Sequence, residues 1–382
     1  MKTSVLALLL VAGLQHLVAP AQIAPPVAAP FDVAAVDAVV ARTLKAFDVP
    51  GIAVAVVKDG QVVLAKGYGV RSLATKAPMD ANTLVGIASN TKAFTTAALG
   101  LLVDEGKLRW DDKVTKYIPE FQMYDPYATA EFTVRDLLCH CSGLGLGAGD
   151  LMQFPDSTDF TAKDVIYNLR YFKPVSSFRS KYDYDNNLYI VAGEVVARIA
   201  GQPWADFVEA RLLKPLSMSR SATNFSRLLD PTNVSDAHAR TGQDRVQEML
   251  GTKQAAAGKT DPALAAVWLQ VAAAQKNVPK KPDYRAYVGR YHDAWLGDVN
   301  IFAQGNQLWL KAKRSPRLTG QVLPYEGSTR VVRWCDRSFN ADAFATFTLD
   351  AQGRAASLQL KPVSPATDFS YDFQDLNLRR VE

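Results

Sequence analysis

The sequence predicts an α+β protein, with helices around an antiparallel sheet and a small all-β unit after them. Three observations carry that expectation. Residues 51–57 (GIAVAVV) and 61–68 (QVVLAKGY) are β-rich runs separated by Lys58-Asp59-Gly60, and an Asp-Gly pair in that setting is a strong hairpin signal. From Ser89 the apolar period lengthens. Phe94, Ala97, Ala98, Leu101 and Leu102 fall at i, i+3, i+4, i+7 and i+8, one face of a buried helix that stops near Gly106. From about residue 284, strand-like runs recur at 299–303, 308–310, 343–349 and 356–360. Gly305-Asn306 and Gln352-Gly353 punctuate them, as in a sandwich or small barrel.

The 382 residues are enough for two domains. A leader comes first. Lys2 supplies a short positive region, residues 5–14 are an almost unbroken apolar run, and Ala19-Pro20-Ala21 offers small residues where a signal peptidase cuts. Cleavage after Ala21 leaves an Ala/Pro tether over 22–30. The apolar run is too short to span a bilayer comfortably, so no stable membrane span is expected after cleavage, and the expected location is periplasmic or secreted. Residues 31–250 form the helical and sheet unit, including a second good helix over 187–199 that Gly201 and Pro203 end. An Ala-rich helical linker, 251–283, runs into Val278-Pro279-Lys280-Lys281-Pro282, and 284–382 is the all-β unit. The net charge of +5 is spread thinly, without a Lys/Arg block, which argues against a nucleic-acid partner.

Few residues offer chemistry. There is no Gly-x-Ser-x-Gly elbow and no His-Glu-x-x-His spacing, and past the leader only His140, His238 and His292 remain, none in a triad context. Cys139 and Cys141 are poorly placed to bridge each other, and with Cys335 they read as packing residues rather than a zinc site. No cofactor or metal is implied. Ser89-Asn90-Thr91-Lys92 is different. If Ser89 opens the helix, Lys92 lies one turn later on the same face and its ammonium reaches the hydroxyl, while the positive end of the helix dipole favours alkoxide charge. Lysine suits the role of base because burial readily depresses its pKa. Alone, Ser-x-x-Lys is equally a helix N-cap with an exposed lysine.

The surrounding blocks decide between those readings. IASNTK, LLVDEGKLRWDDKVTKYIPEF, TVRDLLCHCSGL and FRSKYDYDNNLYIVAGEVV, in that order and spacing, resemble the serine β-lactamase, penicillin-binding-protein and D-Ala-D-Ala carboxypeptidase family over most of residues 40–240. The resemblance implies a β-lactamase/transpeptidase-like fold and an acyl-serine mechanism with Ser89 as nucleophile. Tyr184 would relay the proton beside Lys92, and Asn186 would hold the substrate's amide or ester. Small-molecule or peptide substrates are implied: D-amino-acid peptides, β-lactams or small esters. Residues 284–376 resemble a lipocalin-like β-barrel unit often appended to such hydrolases, with no evident catalytic residues here.

The family also carries a third motif, Lys-Thr-Gly or His-x-Gly, on an inner strand. Arg240-Thr241-Gly242 is the nearest match and lacks strand-like flanks, and Gly258-Lys259-Thr260 is in the wrong order. The resemblance breaks off near residue 240 and resumes near Asp244-Arg245-Val246, in what reads as a final helix. An internal segment carrying three strands is thus expected to be missing. That would leave the N-terminal strands with an uncovered edge and remove one oxyanion donor. Two functions follow: an acyl-serine hydrolase, or an impaired relative that binds ligands or is the product of an internal deletion.

Overall fold

The computed structural model describes residues 31–242, 245–248, 262–338 and 340–381. The expected leader and tether, and Gly258-Lys259-Thr260, lie outside the described residues. Helix α1 (Val33–Phe47) is capped by the Asp32 carboxylate, which accepts from Ala35 N. It lies against the hairpin of β1 (Gly51–Lys58) and β2 (Gln61–Gly69), where Asp37 accepts from Lys66 Nζ at 2.9 Å and Tyr68 Oη at 2.6 Å. Asp59 and Gly60 turn the hairpin with φ of 52° and 75°, the positive values an Asp-Gly pair tolerates. This sheet is two-stranded, and among the described residues no third strand joins it.

The helical unit follows: α2 (Thr91–Asp104), α3 (Pro126–Glu131), α4 (Asp136–Cys139), α5 (Ala162–Asn168), α6 (Asn187–Ala200) and α7 (Trp204–Val208), the last continued by a π-helical turn over Glu209–Leu213. A Thr161/Asp164 capping box starts α5, and Gly201 ends α6 with a φ of 67°. Helices α2 and α6 pack together through buried Leu99, Leu102, Val191 and Val195. The buried face of α2 is one step away from the one the apolar pattern suggests. Thr95, Ala98, Leu99 and Leu102 are buried, whereas Phe94 and Leu101 are half-buried and Ala97 is exposed. The reason is tertiary. The first face meets α6, while Phe94 borders a cavity of about 390 Å³ whose other walls include Trp204, Val208 and Phe225, not a sheet.

Residues past 236 depart from expectation. His238–Gly242 is strand β3, antiparallel to β4 (Arg245–Glu248). Arg240-Thr241-Gly242 therefore does lie on a strand, and Arg245-Val246 is in a hairpin rather than a final helix. Runs this short carry too few periods to distinguish helix from strand. The chain reaches this hairpin alongside Leu84 and Arg71, where Ser235 N and Asp236 N donate to their carbonyls.

Helix α8 (Pro262–Lys276) lies in the span read as a linker, yet it packs on the all-β unit through Val271, against Leu323 and Val331. That unit is a closed barrel of eight antiparallel strands: β5 (Gly289–Asp293), β6 (Gly297–Gln304), β7 (Gln307–Ala312), β8 (Thr319–Glu326), β9 (Thr329–Trp334), β10 (Ala343–Leu349), β11 (Ala355–Pro362) and β12 (Leu378–Arg380). Each strand pairs with the next, and β12 closes on β5 through Arg379 opposite His292. Four of the strands coincide with the periodic runs. Periodicity does not mark β8, which holds Gly320 and Pro324, or β12, which is three residues long. Buried Tyr291, Trp334 and Phe347 help fill the core of the barrel unit.

The barrel shares one continuous core with the helices. Phe172 and Trp295 rings meet at 5.0 Å, Asn168 Nδ2 donates to Trp295 O, and Arg314 pairs with Asp159 and Asp164. All three cysteines are free. Cys139 and Cys335 are exposed, so the expectation that they are packing residues fails for both.

Candidate active site

Ser89 sits in a single 3₁₀ turn, Ala88–Asn90, that leads into α2. Ala88 just before it has a φ of +44°, a conformation that costs a non-glycine residue energy and that the surrounding structure must hold. The turn leaves Ser89 exposed. Its N–H, at the start of the helix, donates to no other described residue.

The four residues singled out in the sequence meet here. Tyr184 Oη donates to Ser89 Oγ at 2.5 Å, and Lys92 Nζ donates to the same oxygen at 3.3 Å. Lys92 Nζ also donates to Asn186 Oδ1 at 2.7 Å and lies over the rings of Tyr184 and Tyr189, 4.6 and 5.2 Å from their centroids. Asn186 does not cap α6 with its side chain. Its neighbour Asp185 does, accepting from Leu188 N at 2.9 Å.

Behind these four lies a layer that sequence reasoning missed. Asn186 Nδ2 donates to Asp150 Oδ2 at 2.8 Å, which fixes the amide so that its oxygen faces Lys92 and one N–H remains for a substrate. Asp150 is fully buried, and burial pushes its carboxyl up to about 7 against the hydrogen bonds from Asn186 and Ser370. Asp185, also fully buried, is pushed up to about 7 by the same cause. His140 takes a left-handed conformation at the end of α4 and lays its ring 4.5 Å from that of Tyr184. Its Nδ1 accepts from Asp185 N, and burial, then the Lys92 charge, lowers its pKa, so the neutral ring carries its proton on Nε2. His140 is thus packed by its ring face against Tyr184, an arrangement no triad search detects. For Asp150 the available signal was a carboxylate ending the Gly-rich run GLGAGD.

The layer also reaches into the barrel. Asp372, between β11 and β12, is buried and accepts from Gly149 N at 2.6 Å and Leu151 N at 3.1 Å. The C-terminal unit therefore contributes to the site from which its sequence seemed to exclude it. Arg240 and Thr241 have their backbone on β3, with no side-chain placement among the described residues.

A serine at a helix start within hydrogen-bond reach of a lysine ammonium and a tyrosine hydroxyl, with an asparagine presented toward the same point, is an arrangement on which acyl-transfer chemistry can be built. The family model described as Beta-lactamase matches residues 36–327, and the chain belongs to that family. Among curated relatives, the unguisins hydrolase ungD of Aspergillus violaceofuscus is 31% identical over 194 residues, covering 50% of this chain and 34% of that protein. Protein flp of Staphylococcus aureus (strain MW2) is 28% identical over 224 residues, covering 55% of this chain and 41% of its own length. The chain thus spans well under half the length of either relative. Among solved structures, the octameric penicillin-binding protein homologue from Pyrococcus abyssi superposes with a TM-score of 0.51 at 18% identity, covering 91% of this chain and 100% of that one. That likeness concerns the fold.

Proposed function

We propose that this protein is an exported serine hydrolase that cleaves ester or amide bonds through an acyl-Ser89 intermediate. The observation that carries the reading is the convergence of Tyr184 Oη and Lys92 Nζ on Ser89 Oγ. In the attacking state one proton is absent from the Ser89–Tyr184–Lys92 triangle. Ser89 Oγ bonds to the carbonyl carbon as its own proton fills that vacancy, and the carbonyl oxygen takes the negative charge toward the Ser89 N–H. Collapse breaks the bond to the leaving oxygen or nitrogen, which collects the proton. Water then repeats the sequence on the acyl-serine and restores Ser89. The remaining N–H of Asn186 is free to hold the acyl-side amide or ester group. D-amino-acid peptides, β-lactams and small esters are the substrate classes the motifs favour. Export, to the periplasm or medium, rests on the Lys2 to Ala21 leader. We take the C-terminal unit as lipocalin-type in architecture alone, with large side chains such as Tyr291, Trp334 and Phe347 buried in its core.

A second reading, an impaired or internally deleted relative, is favoured by one specific observation: the two-stranded β1–β2 sheet. Among the described residues no strand that could bear a third motif and a second oxyanion donor joins it. Loss of one such donor costs roughly 10²–10³ in turnover. Acylation by a reactive reagent survives that loss better than turnover does. Stoichiometric labelling by a fluorescent fluorophosphonate tests the first reading: one label per chain is expected, and none after Ser89→Ala. Undiminished labelling of Ser89→Ala sinks it. Hydrolysis of a simple ester at an ordinary rate of about 10 per second, abolished by Ser89→Ala, disposes of the impaired reading.

A further inference from the structure

The connection between β11 and β12, residues 363–377, leaves the barrel and runs past the candidate nucleophile. Three contacts hold it there. Phe373 is buried in the barrel core and stacks on Trp334 at 5.6 Å. Asp372, one residue earlier, ties the connection to the helical unit through Gly149 N and Leu151 N. Ser370, which is buried, faces the Asp150 carboxylate behind Asn186.

Between these anchors and the solvent lies Phe369. Its ring meets that of Tyr184 edge-on, 79° between planes and 5.8 Å between centroids, and Tyr184 carries the hydroxyl bonded to Ser89. The backbone opposite is Gly147, with a φ of +70°. A Cβ there would stand 2.7 Å from Phe369 O and 2.8 Å from its Cδ2, so a side chain at 147 would push the ring away. Gly147 N in turn donates to Tyr184 O at 2.9 Å. Phe369 is nevertheless 39% exposed, and Leu146, next to Gly147, is 47% exposed. An aromatic ring held between buried Gly147 and half-buried Tyr184, with free surface beside the nucleophile's hydrogen-bond partner, has the placement of a substrate contact.

We infer that the β11–β12 connection is one wall of the substrate site and that Phe369 determines specificity by contacting an apolar, preferably aromatic, group of the substrate. The inference rests on the acyl-serine reading above. It goes beyond it by assigning part of the site to the barrel and by naming the side-chain class that this part selects.

The test compares second-order labelling rates of the full chain by two fluorophosphonates, one carrying only small alkyl groups and one carrying a benzyl group. Phe369→Ala is expected to lower the ratio of benzyl to small-alkyl rates about 3- to 10-fold, the range an edge-on aromatic contact supports. Phe369→Leu, which keeps apolar bulk and guards against misfolding of the smaller variant, is expected to give an intermediate ratio. An unchanged ratio in both variants overturns the assignment, even if both rates fall, because a role in merely steadying Tyr184 affects both probes alike. If the unaltered protein takes up neither probe, or Ser89→Ala is labelled as well as it is, the acyl-serine reading fails and this inference falls with it.

Discussion

The β1–β2 hairpin and the C-terminal barrel are written in similar local code and reach different fates. In β6 the alternation delivers Val299 and Ile301 to the interior, each 1% exposed. In β1 no residue of GIAVAVVK is fully buried, and Val57 and Val62 at the hairpin's end are 64% and 68% exposed. The barrel closes on itself, so each strand has two hydrogen-bonded neighbours and one shared interior. The hairpin has one neighbour per strand and helix α1 for cover, and an isolated hairpin is marginal by itself. Alternation makes a strand possible. A second layer makes it a core. The same contrast holds for the candidate site: the wall built by α4, α6 and the barrel is buried and cross-linked by hydrogen bonds, whereas the β1–β2 sheet gains no third strand among the described residues.

The largest effect expected from that contrast lies in the barrel. Trp334 is 1% exposed and its Nε1 donates to Ala341 O. Trp334→Ala is expected to cost about 3–5 kcal/mol of unfolding free energy, read by urea denaturation. A loss below about 1 kcal/mol would mean that closure does not hold Trp334 in a packed interior.

The buried wall of the site makes a smaller prediction, of definite sign. Asp150 and Asp185 titrate near 7 in the folded protein and near 3.8 when unfolded. Between those values the folded state holds protons that the unfolded chain has released. Their contribution to stability is therefore complete below about pH 4 and is lost as pH rises toward 7. Buried His140, with its pKa lowered, acts in the opposite direction between its folded value and 6.5, so the single variant isolates the carboxylate. Asp150→Asn keeps an acceptor for Asn186 and removes the titration. Between pH 5 and 8 the Tm of the unaltered protein is expected to fall more than that of the variant, by roughly 2–4 °C. Parallel Tm profiles would show that Asp150 is not held protonated by its burial.

The smallest effect belongs to the hairpin. Val62→Ala is expected to change stability by no more than about 0.5 kcal/mol, as at other exposed positions. A cost near 2 kcal/mol would mean that something covers this sheet in solution, and would remove the contrast on which the impaired reading depends.

Much of the site was legible because its parts are local. Ser89 and Lys92 are one helical turn apart, and Tyr184 and Asn186 stand together at the start of α6 in a recognisable block. The Asp59-Gly60 turn, the helices α2 and α6, and four barrel strands also follow from short-range chemistry. The rest depended on contacts distant in sequence. Asp150 reaches Asn186 across 36 residues, and Asp372 reaches Gly149 across 223. His140 matters through the faces of its ring, which no spacing rule reports.

What the sequence by itself determined is therefore the Asp59-Gly60 turn, α2, α6, four barrel strands and the motif positions Ser89, Lys92, Tyr184 and Asn186, because turn propensity, helical period and motif spacing act within a few residues. Only the tertiary structure decided which face of α2 is buried, that β3 pairs with β4, and that the barrel's β11–β12 connection stands beside the hydrogen-bond partner of Ser89. Each of those outcomes is set by which surfaces meet once the chain is compact, and burial and hydrogen bonding between remote segments have no signature in the neighbourhood of either partner.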